Sequence, residues 1–238
     1  MTIFQFGFID GYEEDLNIWG LAPGEIFPNP LYMRLPNNEV FNDKGLFAAG
    51  ADLTVSTLIS AYRLGIFPWF SFRYEDFPLW YCPEDRFVIF PEEIHVSHSM
   101  KNLFNKGVYR CTFNQKFNEV IENCSKVDGR FEDDYAWLGD DIITSFKHLN
   151  RLGHAKSVEV WHGNSLVGGL YGMMINGCFM GESMFSLEPS ASKYALIWLA
   201  DKLKNQGKFI DCQFETPLFK SMGGKYIDYS RYMDILVN

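Results

Sequence analysis

Residues 157–186, SVEVWHGNSLVGGLYGMMINGCFMGESMFS, decide the fold class of this protein. They predict three consecutive strands, which we place at SVEVW, SLVGGLYGMMI and CFMGESMFS. Turns are expected at HGN, residues 162–164, and at NG, residues 176–177; Asn-Gly is a strong signal for a tight hairpin. The stretch therefore predicts an antiparallel meander.

The elements on either side of the meander extend it to a larger sheet. VYRCTFN, from residue 108, predicts a strand, and apolar residues at helical spacing predict a helix that starts near Phe117. A second helix is expected over about residues 140–152, with Asp140 as its cap. After the meander, SASKYALIWLADKLKNQG predicts a helix with Ala195 and Leu203 inward, and KFIDCQF predicts a strand.

The resulting order, β-α-α-β-β-β-α-β, indicates an α+β fold with a mixed, mostly antiparallel sheet and helices on both faces. By analogy of fold alone, this order resembles the core of the N-acetyltransferase (GNAT) superfamily. Before this region, DLTVSTLISAYRLG predicts a helix that is capped by Asp52 or Thr54 and ended by Gly65. The aromatic stretch IFPWFSF follows it, and Pro68 is expected to hold Trp69 in place.

The composition narrows the class of protein. A chain of 238 residues with 47% hydrophobic residues can bury a large core. It has no apolar run long enough to cross a membrane, and its start is acidic, unlike a signal peptide, so we expect a cytoplasmic protein with no membrane partner. The net charge of −9 disfavours non-specific binding to nucleic-acid backbone and favours a basic partner, such as a positively charged peptide end.

Three polar residues stand out in the predicted strands. Strict alternation would place Glu182 on one face with Met180 and Met184, and Gly181 beside it would let a ligand approach the backbone. An unpaired buried carboxylate is costly, so Glu182 either receives the ammonium group of a ligand or pairs with a Lys or Arg of the fold. The same alternation would place Asp211 and Gln213 together on one face of the last strand, opposite Ile210, Cys212 and Phe214.

Two tryptophans in predicted loops, Trp69 and Trp137, either stack on a flat ring such as a nucleobase or fill the core. The sequence has no H-E-x-x-H, no C-x-x-C and no G-x-S-x-G, so it indicates neither a metal site nor a covalent nucleophile. An acetyltransferase would need a glycine-rich turn for the coenzyme A pyrophosphate, but the corresponding junction here is SLEPSASK. A different acyl donor is therefore favoured.

Several motifs make the chain resemble the leucyl/phenylalanyl-tRNA–protein transferase family. They are GLFAAGADLTVSTLISAYRLGIFPWFS, LWYCPEDRFVIFPEEIHVSHSMKNLF, LGHAKSVEVWHGNSLVGGLYG, FMGESMFS with ASKYAL, and FIDCQ. The resemblance implies a small N-terminal α/β domain, which we place at residues 1–85, and a GNAT-like catalytic domain at residues 86–238. It also implies a cytoplasmic, monomeric enzyme without metal or coenzyme, which transfers Leu, Phe or, less well, Met from aminoacyl-tRNA to proteins beginning with Arg or Lys. The product would be marked for degradation.

The resemblance also implies roles for single residues. Trp69 and Trp137 look like the aromatic clamp on the terminal adenosine, and the donor side chain looks to be bound by Leu170, Phe179, Leu196 and Leu199, with Phe146 as a further substrate contact. Glu182, Asp211 and Gln213 match the family's catalytic positions. We expect Asp211 and Gln213 to orient and deprotonate the acceptor amine, with the ribose hydroxyl as an alternative carrier of the proton.

The chain departs from the family pattern at a few positions: Leu218 replaces a usual His, Phe146 a usual Tyr, Lys156 a usual His and His98 a usual Arg. Two other functions stay open beside the aminoacyl transferase. One is an acetyl-CoA-dependent N-acetyltransferase, and the other is a tRNA-binding module without catalysis.

Overall fold

The computed structural model describes residues 2–6, 16–31, 45–69, 78–126, 139–206 and 208–238. The strands in these residues are β1 (Thr2–Phe6), β2 (Leu16–Leu21), β3 (Leu46–Gly50), β4 (Phe67–Pro68), β5 (Leu79–Tyr81), β6 (Asp85–Ile89), β7 (Arg110–Phe113), β8 (Ala155–His162), β9 (Ser165–Ile175), β10 (Cys178–Ser186), β11 (Ile210–Asp211) and β12 (Lys225–Asp228). The helices are α1 (Val55–Arg63), α2 (His98–Asn105), α3 (Phe117–Cys124), α4 (Asp140–Arg151), α5 (Ala191–Leu203), α6 (Pro217–Ser221) and α7 (Tyr229–Val237). None of these helices is long and apolar enough to cross a membrane.

The larger sheet has seven strands in the order β12-β6-β11-β10-β9-β8-β7. Its only parallel pair within the described residues is β10 with β11, and every other neighbouring pair is antiparallel. Helices α3 and α4 pack on one face, and α2 and α5 pack on the other. The α+β class, the meander of β8, β9 and β10, and the predicted order of elements from β7 to β11 are confirmed.

The smaller sheet is built from the first part of the chain, in the order β1-β2-β3-β5-β4, with β2 and β3 parallel. In chain order, the last strand of this sheet is β5, which ends at Tyr81. The first strand of the larger sheet is β6, which begins at Asp85, next to the domain boundary predicted after residue 85. The hydrophobic core nevertheless runs across this boundary, because Tyr62 and Trp80 belong to the same buried cluster as Phe146 and Tyr171. Division into two independent domains stays a prediction.

Helix ends follow local hydrogen bonding. Thr54 is the N-cap of α1 and accepts a hydrogen bond from the amide of Thr57, whereas Asp52, the other predicted cap, accepts from the Thr54 amide. The prediction that Asp140 caps α4 is wrong: the cap is Gly139, and Asp140 is the first helical residue. At this position the negative charge of Asp140 interacts favourably with the positive end of the helix dipole.

A β-bulge interrupts β10 at Glu182, and the predicted strict alternation of this strand is therefore wrong. On β9, Gly172 faces Gly181 and the next residue, Tyr171, faces Ser183, so Glu182 is the extra residue. Before the bulge Phe179 faces the α5 side, and after it Met184 does. Odd-numbered residues therefore face α5 before the bulge, and even-numbered residues face it after the bulge. Glu182, as the extra residue, is not oriented by the regular pairing of the strands.

The last predicted strand, KFIDCQF, forms fewer paired positions with its neighbour β10 than expected. β11 pairs with β10 only at Ile210 and Asp211, and Gln213 adopts a left-handed backbone with φ of 63°. As a result Phe214 packs with the cluster on the α3 and α4 side, whereas Ile210 belongs to the α5-side cluster. The prediction of one continuous alternation from Ile210 to Phe214 is wrong, because the strand ends before it.

Candidate active site

A cavity of about 440 Å³ opens where β10 and β11 separate. The last paired residues are Met180 and Asp211, and from there each strand contributes a different wall. The lining residues are Trp69, Leu170, Phe179, Gly181, Glu182, Ser183, Met184, Leu196, Ile210, Asp211, Cys212, Gln213, Phe214, Thr216, Leu218 and Phe219. A mostly apolar hollow with a few polar groups at one side is a typical small-ligand site.

The structure brings together most of the residues singled out from the sequence. Leu170, Phe179 and Leu196 form apolar wall, and Glu182, Asp211, Gln213 and Trp69 lie at the same cavity. This convergence joins residues from β9, β10, α5 and β11 with the segment after β4.

Two other predicted contacts, Leu199 and Phe146, have a different placement. Leu199 is fully buried one turn further along α5 and does not line the cavity. Phe146 lies on the opposite face of the sheet, where its ring centre is 5.4 Å from that of Tyr171. Trp137 lies outside the described residues.

Trp69 is held by other aromatic rings. Its ring stacks on Phe214 with centroids 4.5 Å apart and meets Tyr81 edge-on at 5.3 Å, and its amide donates to the carbonyl of Leu79. These contacts fix the indole at the cavity while leaving it only half-buried. An ordered, partly exposed tryptophan is a suitable platform for a flat ring.

Asp211 is almost completely buried, and both of its carboxylate oxygens accept hydrogen bonds. Oδ2 accepts from Nε of Arg86 at 3.1 Å and from the hydroxyl of Tyr232 at 2.9 Å. Oδ1 accepts from the amide of Gln213 at 2.8 Å. The carboxylate is therefore fully engaged by the protein.

Glu182 has the opposite environment. It is 7% exposed, its Oε1 lies 3.4 Å from the side-chain nitrogen of Gln213, and its Oε2 has no hydrogen-bond partner within the part of the chain described. Burial raises the pKa of Glu182 to about 8; Tyr62 and Arg86 act to lower it, and Asp211 raises it further. A carboxyl whose pKa is raised in this way is suited to proton transfer near neutral pH.

Sequence reasoning missed Arg86, Tyr232 and the α6 side chain Phe219. Arg86 lies in β6 directly before the apolar run FVIF, and a cation beside such a run is a signal for a buried ion pair, although its partner is 125 residues away. Leu218, noted only as a departure from the family pattern, proves to line the cavity with Phe219.

Comparison with known proteins agrees with this geometry. The sequence model for the leucyl/phenylalanyl-tRNA protein transferase matches residues 88–237, and the model for the N-terminal domain of the same protein matches residues 51–84. Proteins named leucyl/phenylalanyl-tRNA–protein transferase are similar over most of the chain. The one from Syntrophobacter fumaroxidans is 43% identical over 194 residues, 81% of either chain, and the one from Flavobacterium psychrophilum is 42% identical over 206 residues, 86% of this chain and 96% of the relative.

The chain belongs to the leucyl/phenylalanyl-tRNA protein transferase family. The two family matches together contain every residue that lines the cavity: Trp69 lies in the N-terminal match, and the other lining residues lie in the larger match. The cavity is thus assembled from residues of both matched regions. Among the described residues, no group of three or more His, Cys, Asp or Glu side chains could hold a metal ion.

The buried carboxyl of Glu182 should make stability depend on pH. In the unfolded chain a glutamate loses its proton near pH 4.3, whereas Glu182 keeps its proton up to about pH 8 in the folded chain. Stability is therefore lost as the pH rises through this interval. We expect Glu182→Gln, which stays neutral, to unfold at a higher temperature than the wild type at pH 8 and to lose most of this advantage at pH 5.

Thermal unfolding at both pH values measures this difference. Glu119→Gln is a matched control, because Glu119 lies in an exposed ion pair with Lys116 on α3. An equal gain for Glu182→Gln at pH 5 and pH 8 would contradict a raised pKa.

Proposed function

We propose that this chain transfers Leu or Phe, and less well Met, from aminoacyl-tRNA to the N-terminal Arg or Lys of acceptor proteins. It acts in the cytoplasm as a monomer, uses neither metal nor coenzyme, and marks its acceptors for degradation. The observation that carries the proposal is the apolar cavity with Glu182 and Gln213 at its polar side, in a chain of the leucyl/phenylalanyl-tRNA protein transferase family.

The apolar wall supports the choice of donor. Leu170, Phe179 and Leu196 offer hydrocarbon surface to a side chain, and burying such a chain is favourable roughly in proportion to its area. Polar amino acids would lose hydration without gaining a partner. Discrimination between apolar donors is modest, at about 1 to 3 kcal/mol for each methylene.

The acidic character of the chain supports a basic acceptor. The net charge of the chain is −9. An acceptor that begins with Arg or Lys brings a cationic side chain and an α-ammonium group, so it is attracted to the protein as a whole. Such attraction chiefly raises the rate of association.

The reaction itself needs little activation. The acceptor nitrogen attacks the carbonyl carbon of the aminoacyl ester, a C–N bond forms, and the C–O bond to the ribose breaks. The amine loses a proton, and the ribose oxygen gains one. Since the ester is already reactive, holding the two groups together and accepting the proton are the main tasks of the protein.

The geometry favours Glu182 as the group that accepts this proton. Both oxygens of Asp211 are engaged by donors from the protein, whereas Oε2 of Glu182 has no hydrogen-bonding partner in the described residues. The pKa of Glu182, about 8, is close to the value of about 7.7 to 8.0 for an α-amino group, so the proton passes between groups of similar basicity. Gln213 orients the two groups, and Asp211 holds Gln213.

A transfer assay tests the proposal. The protein is incubated with labelled Leu-tRNA and with peptides that begin with Arg, Lys or Ala, and label in peptide is measured against spontaneous ester hydrolysis. We expect labelled Arg and Lys peptides and at least about tenfold less product with Ala. Binding of the tRNA without transfer, or thiol release from acetyl-CoA with the same peptides, would contradict it.

Filling the cavity should change the donor preference. Leu196 lines the cavity on α5, so Leu196→Phe reduces the space for a large donor side chain. We expect kcat/KM with Phe-tRNA to fall about tenfold more than kcat/KM with Leu-tRNA. This is the size of effect that one or two methylene groups have on discrimination by an apolar pocket. Leu199→Phe is the matched control: it adds the same atoms to the same helix away from the cavity, and should reduce stability without changing the ratio. An equal change of the ratio in both variants would contradict the assigned wall.

A further inference from the structure

Arg86 connects three parts of the chain that are distant in sequence. It is 3% exposed on β6 and donates from Nε to Asp211 and from Nη2 to the carbonyl of Gly65. Its guanidinium lies between two rings, 4.6 Å from the centre of Phe67 and 4.7 Å from that of Tyr232. Burial lowers the pKa of Arg86, but Asp211 and the other neighbours outweigh it and keep the group charged.

Tyr232 brings the last helix into the same cluster. Its hydroxyl donates to Oδ2 of Asp211, the oxygen that also accepts from Arg86. Burial raises the pKa of Tyr232 well above its usual value, and Asp211 raises it further, so the hydroxyl remains a donor. One buried oxygen thus receives a charged and a neutral donor from β6 and α7.

The cluster determines where Gln213 points. With Oδ2 occupied, Oδ1 of Asp211 accepts from the amide of Gln213, which holds that residue in a left-handed conformation that side-chain-bearing residues rarely adopt. The side-chain amide of Gln213 then lies 3.4 Å from Glu182. Gly65, whose carbonyl is held by Arg86, begins the segment that carries Trp69 to the cavity.

We propose that Arg86 and Tyr232 are positioning residues for aminoacyl transfer, which orient Gln213 and Glu182 through Asp211. Neither side chain lines the cavity, so each acts on it through Asp211 and the Gly65 segment, and Arg86 also acts through its charge. The inference rests on the proposed function. A buried ion pair with a purely structural role would instead change stability and leave the kinetic constants of the folded protein unchanged.

Tyr232→Phe separates these two roles. It keeps the ring beside Arg86 and removes only the hydroxyl that Asp211 accepts from. We expect kcat for transfer to an Arg peptide to fall about tenfold while KM for Leu-tRNA changes less than about twofold, because the donor wall is untouched. Tyr109→Phe is the matched control: it removes a hydrogen bond from a buried tyrosine to the carbonyl of Pro189, away from Asp211 and the Gly65 segment, and should leave kcat within about twofold.

The pH profile of kcat gives a second, independent measurement. The groups around Glu182 are Tyr62 on α1, Arg86 on β6, Asp211 on β11 and Gln213 after it. Because Arg86 acts to lower the pKa of Glu182, Arg86→Gln should move the rise of kcat to higher pH, and Arg86→Lys should move it less. Arg86→Gln leaves Asp211 without its cation, so if this variant does not fold, Tyr232→Phe and Arg86→Lys decide the matter.

The outcomes are distinguishable. A fall in kcat for Tyr232→Phe with unchanged kcat for Tyr109→Phe supports positioning. Kinetic constants equal to those of the wild type in folded Tyr232→Phe and Arg86→Lys, or an equal loss in Tyr109→Phe, overturn it while leaving the proposed function intact. Absence of transfer by the wild type overturns both.

Discussion

The site depends on one constraint, which is that β10 and β11 pair in parallel for only two residues. After Met180 and Asp211 the bulge at Glu182 turns one strand aside, and the left-handed Gln213 turns the other. A sheet that parts in this way exposes backbone and side chains of both strands to the same hollow, which α5 and α6 cover with apolar residues. On the other side of β10 the strands lie close together: a Cβ at Gly172 would lie 2.0 Å from the Met180 carbonyl oxygen, so only glycine lets β9 follow β10 up to the bulge.

The two buried carboxyl groups beside this opening have contrasting environments. Asp211 is paired with Arg86, Tyr232 and the Gln213 amide. Glu182 lies near Tyr62 and accepts one long hydrogen bond, from Gln213, and its Oε2 has no hydrogen-bond partner among the described residues. Environments that differ in this way allow two acids to take separate roles, one as a fixed charge and one as a proton acceptor. A buried carboxyl with incomplete hydrogen bonding also lowers stability, which is typical of residues retained for function.

Much of the fold was predictable because it rests on local patterns. The Asn176-Gly177 turn, the helical spacing after Phe117 and the element order needed no tertiary information. The bulge at Glu182 and the early end of β11 were not predictable, since each depends on which strand lies alongside. Convergence of Glu182, Asp211 and Gln213 at one cavity was anticipated, but the pairing of Arg86 with Asp211 was not, because a sequence does not show contacts across 125 residues.

The central claim is that the opening between β10 and β11 receives the aminoacyl end of the donor. A crystal structure with a stable amide analogue of 3′-phenylalanyl-adenosine tests it most directly. The account predicts the phenyl ring in van der Waals contact, within about 4 Å, with Leu170, Phe179 and Leu196, and the adenine beside Trp69. An analogue bound elsewhere, with this cavity closed or filled by side chains, would contradict it.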